Sequence, residues 1–340
     1  MLKEAEVHSS TIADVARIAG VSISTVSRVV NGSAPVDEET AERVKAAIAT
    51  TGYVPHVAAR NLARRTTNTL ALLLPSIGED FFSLMMRGIE DAATAAGYDL
   101  LIATQSSMEI HREERMPFGR HNSDGLIVFT GNLQLNAILP LYRSHFPIVL
   151  LYETAPRDLE IPAVTVENKD GSRKLVEHLI VEHGYRRIGF LRGPENNQDS
   201  YWRELGYRDA LKNHGIPFDP ELVADGNFTE DSAQQAVMNW VTNGKKPDAI
   251  FGGSDEGAFG ALLALKSCGI QVPGEIAVVG FDDLTLARHV DPPLTTVRAP
   301  TELVGRTAVQ QLLKLIRKEA VDPLTLLPTE LVIRQSCGCR

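Results

Sequence analysis

The sequence predicts an α/β protein: a small all-α headpiece followed by two lobes built on doubly wound parallel sheets. Three observations predict it. Residues 11–31, TIADVARIAGVSISTVSRVVN, place apolar positions at helical spacing on both sides of a glycine. From Leu70 the runs LALLLP, YDLLIAT, DGLIVFT and FPIVLLYE alternate with helical stretches such as Phe82 to Ala96, the pattern of parallel strands covered on both faces. A second series of the same plan follows: RIGFLRG, LVADGN, AIFGGSD and IAVVGFDD, separated by helical stretches.

Taken in order, the first ten residues read as a loose leader. Thr11 can cap a first helix, with Asp14 placed for a reciprocal bond and Ile12, Val15, Ala16 and Ala19 on one face. Gly20 gives a turn, Ser22 caps again, and a second helix runs from about Ile23 to Val30. Val26, Val29 and Val30 face inward, while Ile23, Ser24, Ser27 and Arg28 project outward. That is a helix-turn-helix reading, a geometry shared by many small helical domains. Two features favour DNA. Ser22, Ser24, Thr25 and Ser27 are poor core filler but can approach phosphates and base edges, and Arg28 suits a guanine edge. The candidate DNA contacts are therefore Thr11, Ser22, Ile23, Ser24, Thr25, Ser27, Arg28 and Asn31, with Ile23 offered to a thymine methyl.

Asp37 caps a third helix whose first turn carries Glu38 and Glu39, whose inward positions are Val44, Ala47 and Ile48, and which Gly52 closes. Tyr53 to Asn68 reads as a linker containing a short alanine-rich helix, marginal by itself. Leu62 is its one large apolar residue between Val57 and Leu70, placed either to pack on a neighbouring domain or to enter a DNA groove.

Composition bounds the function. The chain has 340 residues, 44% hydrophobic and 23% charged, ordinary for a soluble protein of two or three folding units. The net charge of −9 argues against a nucleic-acid coat, but the stretch from Thr40 to Thr69 carries Arg43, Lys45, Arg60, Arg64 and Arg65 against only Glu42. No apolar run reaches membrane-spanning length and MLKEAEVHSS lacks a hydrophobic stretch, so no membrane association and a cytoplasmic location are expected. Cys268 lies on an apolar helical stretch and is expected to be buried; Cys337 and Cys339 flank Gly338 without a histidine or cysteine pair nearby in sequence, so no metal is expected. GxxxxGK, HExxH and GxSxG are absent, and neither GNFTED nor IFGGSDEG has dinucleotide spacing, so no catalytic residue and no cofactor is expected. Asp282 and Asp283 read as a metal pair or, equally, as a turn or helix cap.

The run TIADVARIAGVSISTVSRVVNG with TAERVKAAIATTGYVPHVAARNLA resembles the DNA-binding domain of the lactose repressor family of bacterial transcription regulators. GYRRIGFLRGP, GGSDEGAFGAL, VVGFDD, DPPLTTV and LPTELVIRQS extend the resemblance over nearly all of the chain after about residue 10. It implies a helix-turn-helix domain over 10–54, a hinge helix and linker over 55–68, and a two-lobed effector domain that the chain crosses three times, near Thr165, Pro292 and Ala320. Lobe one is then 69–165 plus 293–320, and lobe two 166–292 plus 321–340. It makes Leu62 the wedge that pries open the central base-pair step. Between Gln105 and Asp124 the family has a regular helix, which Pro117 and Gly119 here must cut short or bend.

For the effector, Phe81, Phe82, Glu153, Arg203, Phe228 and Asp255 follow or end strands, where doubly wound folds bind ligands, although each also has an ordinary packing or capping role. The resemblance carries effector contact to Arg203, Phe228 and Asp255, and to Phe81 and Phe82 from lobe one. Arginine with aspartate grips vicinal hydroxyls and an aromatic face stacks on a pyranose. Glu79-Asp80 replaces the Asn-Pro of many sugar-responsive members, so the mouth is acidic and favours a neutral sugar over an anionic one, with a purine or nucleoside as the alternative. The resemblance implies binding without turnover: a homodimeric repressor of carbohydrate-utilisation genes on a near-palindromic double-stranded operator, paired through Phe82 to Ala96 and Glu256 to Cys268. An activator remains open. A periplasmic-type sugar-binding protein shares the lobes but has no use for GVSISTVSRVVNG.

Overall fold

The structure, a computed structural model, describes residues 10–32, 34–53, 66–104, 116–129, 137–156 and 158–339. It divides into two units between Thr67 and Asn68. In the first, α1 (Ile12–Ala19) starts in a complete capping box, with the Asp14 amide donating to Thr11 Oγ1 and the Thr11 amide to Asp14. Gly20, at φ +66°, ends it in the left-handed region where a side chain would be strained. Ser22 caps α2 (Ile23–Asn31) and Asp37 caps α3 (Glu38–Thr51), each through a backbone amide three residues on. Val15, Ala16, Ala19, Val26, Val44, Ala47 and Tyr53 make the core, a set of small side chains that lets the helices approach closely. The expected hinge helix, including Leu62, falls mainly on 54–65 and so lies outside the described residues; 66–68 are not helical.

The second unit contains two six-stranded sheets. In the first, β1 (Thr69–Leu74) lies between β2 (Asp99–Thr104) and β3 (Gly125–Phe129), followed by β4 (Ile148–Leu151) and β5 (Ala163–Val166), all parallel. Leu70 to Leu74 are wholly buried because helices cover both faces. Among these helices are α4 (Asp80–Ala95) and the short α5 (Leu139–Arg143). The second sheet repeats the plan. β6 (Ile188–Arg192) sits between β7 (Val223–Asp225) and β8 (Ala249–Gly252), then β9 (Ala277–Asp282) and β10 (Thr295–Arg298). Its helices are α6 (Asn168–His183), α7 (Gln198–Asn213), α8 (Glu230–Thr242) and α9 (Asp255–Ser267).

Two of the three expected crossings are corrected. β10 joins the second sheet, pairing parallel with β9, so the chain returns to lobe one only at Ala299–Pro300, not at Pro292. α10 (Thr301–Ile316) packs on α4, and β11 (Leu324–Leu327) then extends the first sheet beside β5. The last crossing is at Pro328–Thr329, not Ala320, and only β12 (Glu330–Val332) of the two closing strands joins the second sheet, antiparallel to β10. Strand pairing, a long-range choice, decides this where local pattern does not. The first crossing is at Glu167, between β5 and α6.

Helices α4 and α10 cross so closely that two glycines are required. A Cβ on Gly88 would stand 1.9 Å from Glu302 O, and one on Gly305 2.3 Å from Met85 O. Residues 116–124, the described part of the proline-interrupted stretch, contain turns without helix, held by the Gly119 amide donating to Asn122 Oδ1. Cys268 is exposed at the end of α9, not buried, because its position faces outward. Cys337 and Cys339 do have a histidine pair beside them: folding brings His178 and His183 of α6 to the terminal turn from 156 to 161 residues away. Among the described residues no helix is long and apolar enough to cross a membrane.

Candidate functional site

In each sheet the strand order reverses beside its first strand, between β1 and β3 and between β6 and β8. Loops leaving the carboxyl ends of such neighbours diverge and leave a crevice. Here the two crevices face each other and enclose a cavity of about 260 Å³. Lobe one supplies Pro75, Glu79, Phe81, Phe82 and Phe129. Lobe two supplies Pro194, Asn197, Asp199, Arg203, Asn227, Phe228, Thr229, Ser254, Glu256, Asp282 and Leu284. Thr154, after β4, meets Gln198, at the start of α7: the Thr154 amide and hydroxyl both donate to Gln198 Oε1 at 3.0 Å, and Gln198 Nε2 donates to Thr154 O at 3.3 Å. These bonds tie one lobe to the other.

Arg203 is 3% exposed and fully oriented by the protein. It donates from Nε to Asn168 Oδ1 at 2.8 Å, from Nη1 to Gly253 O at 2.7 Å and from Nη2 to Asp282 Oδ1 at 2.9 Å. Its guanidinium lies 3.9 Å from the centroid of Phe281 and 5.3 Å from that of Phe228. Phe228 in turn covers Gly193, where a Cβ would stand 2.2 Å from its Cζ. Asn227 and Phe228 have φ of +50° and +58°, and Asp282 and Asp283 +113° and +56°. Side chains seldom adopt such backbone, at a cost of about 1–3 kcal/mol each, and it persists where packing over-determines it. Asp283 is fixed by Arg298 at 2.8 Å and Arg334 at 2.6 Å.

The cavity is acidic. Burial pushes Asp199 up to about 7, reinforced by Asp282 and Glu153 and opposed by Arg203 and the Asn168 amide. Burial likewise pushes Glu256 up to about 7, with the charges of Glu79 and Asp282 adding to it. Glu79 and Asp282 are also raised by burial, Asp282 against the pull of Arg203. Against these acids, Arg203 is the one cationic side chain among the described lining residues, and Asp282 already pairs with it.

Of the sequence-predicted effector residues, Phe81, Phe82, Arg203 and Phe228 meet in the cavity. Asp255 does not line it. Its side chain is wholly buried, accepting from the Leu284 amide at 2.7 Å and the Thr296 hydroxyl at 2.5 Å, and burial raises it well above the ordinary range. Its neighbours Ser254 and Glu256 reach the wall instead. Glu153, half-buried and raised by burial, also stands outside the lining. The sequence reading missed Asn197, Asp199, Asn227, Thr229, Ser254 and Glu256, and took Asp282 for a metal ligand or a cap and not for part of the wall. One signal could have found most of them: they cap or open helices directly after strands.

On the first unit, α2 presents Ile23, 51% exposed, beside exposed Ser24 and Arg28. The Ser22 hydroxyl is shared with Ser24 at 2.7 Å and Thr25 at 2.8 Å, and the Thr11 hydroxyl bonds Asp14 at 2.7 Å. Ser27 is half-buried and receives the Asn31 amide at 3.1 Å, and Asn31 itself is buried. Asn31 thus steadies the end of α2 and is not presented on its outer face.

Residues 11–56 match the family described as bacterial regulatory proteins, lacI family, and residues 176–337 match a periplasmic binding protein-like domain. Over 336 residues the chain is 36% identical to the HTH-type transcriptional regulator CelR of Thermobifida fusca, covering 96% of this chain and 98% of CelR. A solved transcriptional regulator CelR–cellobiose complex superposes with a TM-score of 0.72 at 34% identity, over 96% of this chain and 99% of that one. The lac repressor dimer bound to operator and the anti-inducer ONPF gives 0.80 at 28% identity, over 97% and 99%. Capped helix-turn-helix, paired sheets and 36% identity over nearly the full length agree: the chain belongs to the lacI family of bacterial regulatory proteins.

Proposed function

We propose that this protein is a homodimeric repressor of carbohydrate-utilisation genes, acting in the cytoplasm, whose grip on a near-palindromic operator is set by a neutral sugar held between its lobes. The observation that carries the sugar reading is the chemistry of the cavity wall. Phe81, Phe82, Phe129 and Phe228 offer apolar faces, Asp199, Glu256 and Asn197 offer polar groups for hydroxyls, and Arg203, the one cation among the described lining residues, is already paired with Asp282. A phosphate or carboxylate would meet the acids of this wall with no unpaired cation among the described lining residues. The CelR–cellobiose complex is a relative whose ligand has this chemistry. The described lining residues have the character of a binding site, and the relatives are transcriptional regulators, which supports binding without turnover.

DNA reading rests on the outer face of α2. Ile23, Ser24 and Arg28 meet base edges, while Ser22, Thr25, Ser27 and Thr11 sit nearer to phosphates. Two such helices, one from each subunit, would read the two half-sites. Leu62 lies outside the described residues; the family resemblance gives it the role of a wedge at the central step. Closure on the sugar, helped by the Thr154–Gln198 bonds, would reset the spacing of the two hinges and so the operator affinity.

A thermal-shift panel of neutral sugars, sugar acids, sugar phosphates and purines, followed by operator binding with each hit, is the test. Stabilisation by a neutral mono- or disaccharide that also changes operator affinity is expected. Hits confined to anions or purines would overturn the sugar reading. Arg28→Ala should cost about 1–3 kcal/mol on operator and relax one guanine position; equal losses on operator and scrambled duplex would overturn base reading.

A further inference from the structure

Away from the cavity, the carboxyl-terminal turn brings together four side chains that the regulator reading leaves without a task. His178 and His183 lie in the last turns of α6, and Cys337 and Cys339 flank Gly338 in the turn packed against them. His178 Nε2 stands 3.7 Å from Cys337 Sγ and 3.6 Å from Cys339 Sγ, and His183 Nε2 stands 3.4 Å from Cys339 Sγ. All four donor atoms lie within 4.8 Å of one another. We propose that His178, His183, Cys337 and Cys339 form a structural zinc site that clips the carboxyl-terminal turn to the end of α6.

The three sulfur–nitrogen distances match those of a tetrahedral centre, and the remaining pairs, within 4.8 Å, would draw in slightly around an ion. Zinc–sulfur bonds of about 2.3 Å and zinc–nitrogen bonds of about 2.0–2.1 Å place neighbouring sulfur and nitrogen about 3.5 Å apart. Hydrogen bonding alone explains the cluster poorly. One ring nitrogen of His178 faces two sulfurs and has a single lone pair or proton to offer, whereas a metal between them satisfies every donor. The His-x4-His spacing is that of zinc sites; Cys-x-Cys is tighter than usual. Gly338 makes the tight spacing possible: its φ is +107°, and a Cβ there would lie 3.3 Å from the His183 ring.

The surroundings also suit a thiolate site. Thr295 Oγ1 donates to Cys337 Sγ at 3.1 Å, the kind of outer hydrogen bond that holds a ligand in place. Tyr185 stacks on His183 at 5.3 Å and donates to Cys337 O at 3.2 Å. Two thiolates and two imidazoles are a donor set for zinc rather than for magnesium or calcium, and four protein ligands leave no open position for chemistry. At its other end α6 begins with Asn168, which holds both Arg203 and Asp199, so the clip steadies the helix that orients the cavity arginine.

The full chain, purified under reducing conditions and stripped with chelator, is equilibrated with zinc, dialysed and analysed for metal. One zinc per chain is expected, with a raised melting temperature. Cobalt in its place should give the visible bands of a tetrahedral centre and thiolate-to-cobalt charge transfer. Cys339→Ser and His183→Gln, both at partly exposed positions, should keep the native circular dichroism and hold the metal more than about tenfold less tightly. No retained metal, a cobalt spectrum without charge transfer, equal retention in both variants, or a Cys337–Cys339 disulfide in the reduced preparation would each overturn the site. The cobalt spectrum of the unaltered chain decides even if a variant fails to fold. None of these measurements involves sugar or operator, so their failure leaves the regulator reading untouched.

Discussion

Arg203 is held by three partners within the protein, Asn168, Gly253 and Asp282. Its pair with Asp282 is 3% and 6% exposed, so removing one partner strands a buried charge. Arg203→Ala should therefore lower stability by about 3–5 kcal/mol, read by denaturant unfolding without ligand. A loss below about 1 kcal/mol would show the network to be slack. Arg203, Phe228, Phe81 and Phe82 were legible because strand ends and a family pattern both point to them. Asp255 was not, because sequence spacing does not say which side of a helix's first turn faces the cavity, and its carboxylate turned inward to Thr296 and Leu284. The raised acids set a second expectation. Asp199 and Glu256 hold their protons in the folded chain up to about pH 7, whereas the unfolded chain has released them above the ordinary carboxylate range. The folded state binds more protons in that window, so their contribution makes stability fall as pH rises from about 4 to about 7 and then level off. Melting temperatures across that range check it, and Asp199→Asn with Glu256→Gln should flatten the slope.

At the scale of elements, the cavity collects helix beginnings. Glu79, Asn197, Thr229 and Ser254 stand at the N-caps of α4, α7, α8 and α9, and all four line the wall. The positive ends of these helices offset part of the cost of burying so many carboxylates. The alternation that builds the sheets was plain in the sequence, since fully covered strands read as unbroken apolar runs. The crossings were less so. β10 is TTVR and β11 is LTLL, short segments whose sheet is chosen by partners far away in the chain. Nor could local pattern show the α4–α10 crossing, where Gly88 and Gly305 each touch the other helix's backbone. Backbone cannot yield as a side-chain tip can, so Gly88→Ala should cost about 1–3 kcal/mol or more. Unfolding of Gly88→Ala beside Arg87→Ala, on the same helix, separates this clash from any effect of helix propensity.

For the molecule as a whole, the lobes are joined by covalent passage at Glu167, Ala299–Pro300 and Pro328–Thr329, and by contacts that include the Thr154–Gln198 bonds and the packing of Phe81 and Leu84 on the lobe-two core. Only the contacts can open and close. Gln198→Ala should leave the fold intact but weaken sugar binding, by about 1–3 kcal/mol, because closure loses its polar bridge. Calorimetric titration of an identified sugar checks this, and unchanged affinity would free Gln198 from any part in closure. The covalent passages have another consequence. A protease that nicks one of the three leaves two intact tethers and two sheets with every strand present. Such a molecule should run as fragments on a denaturing gel yet elute from a sizing column as the uncut protein does.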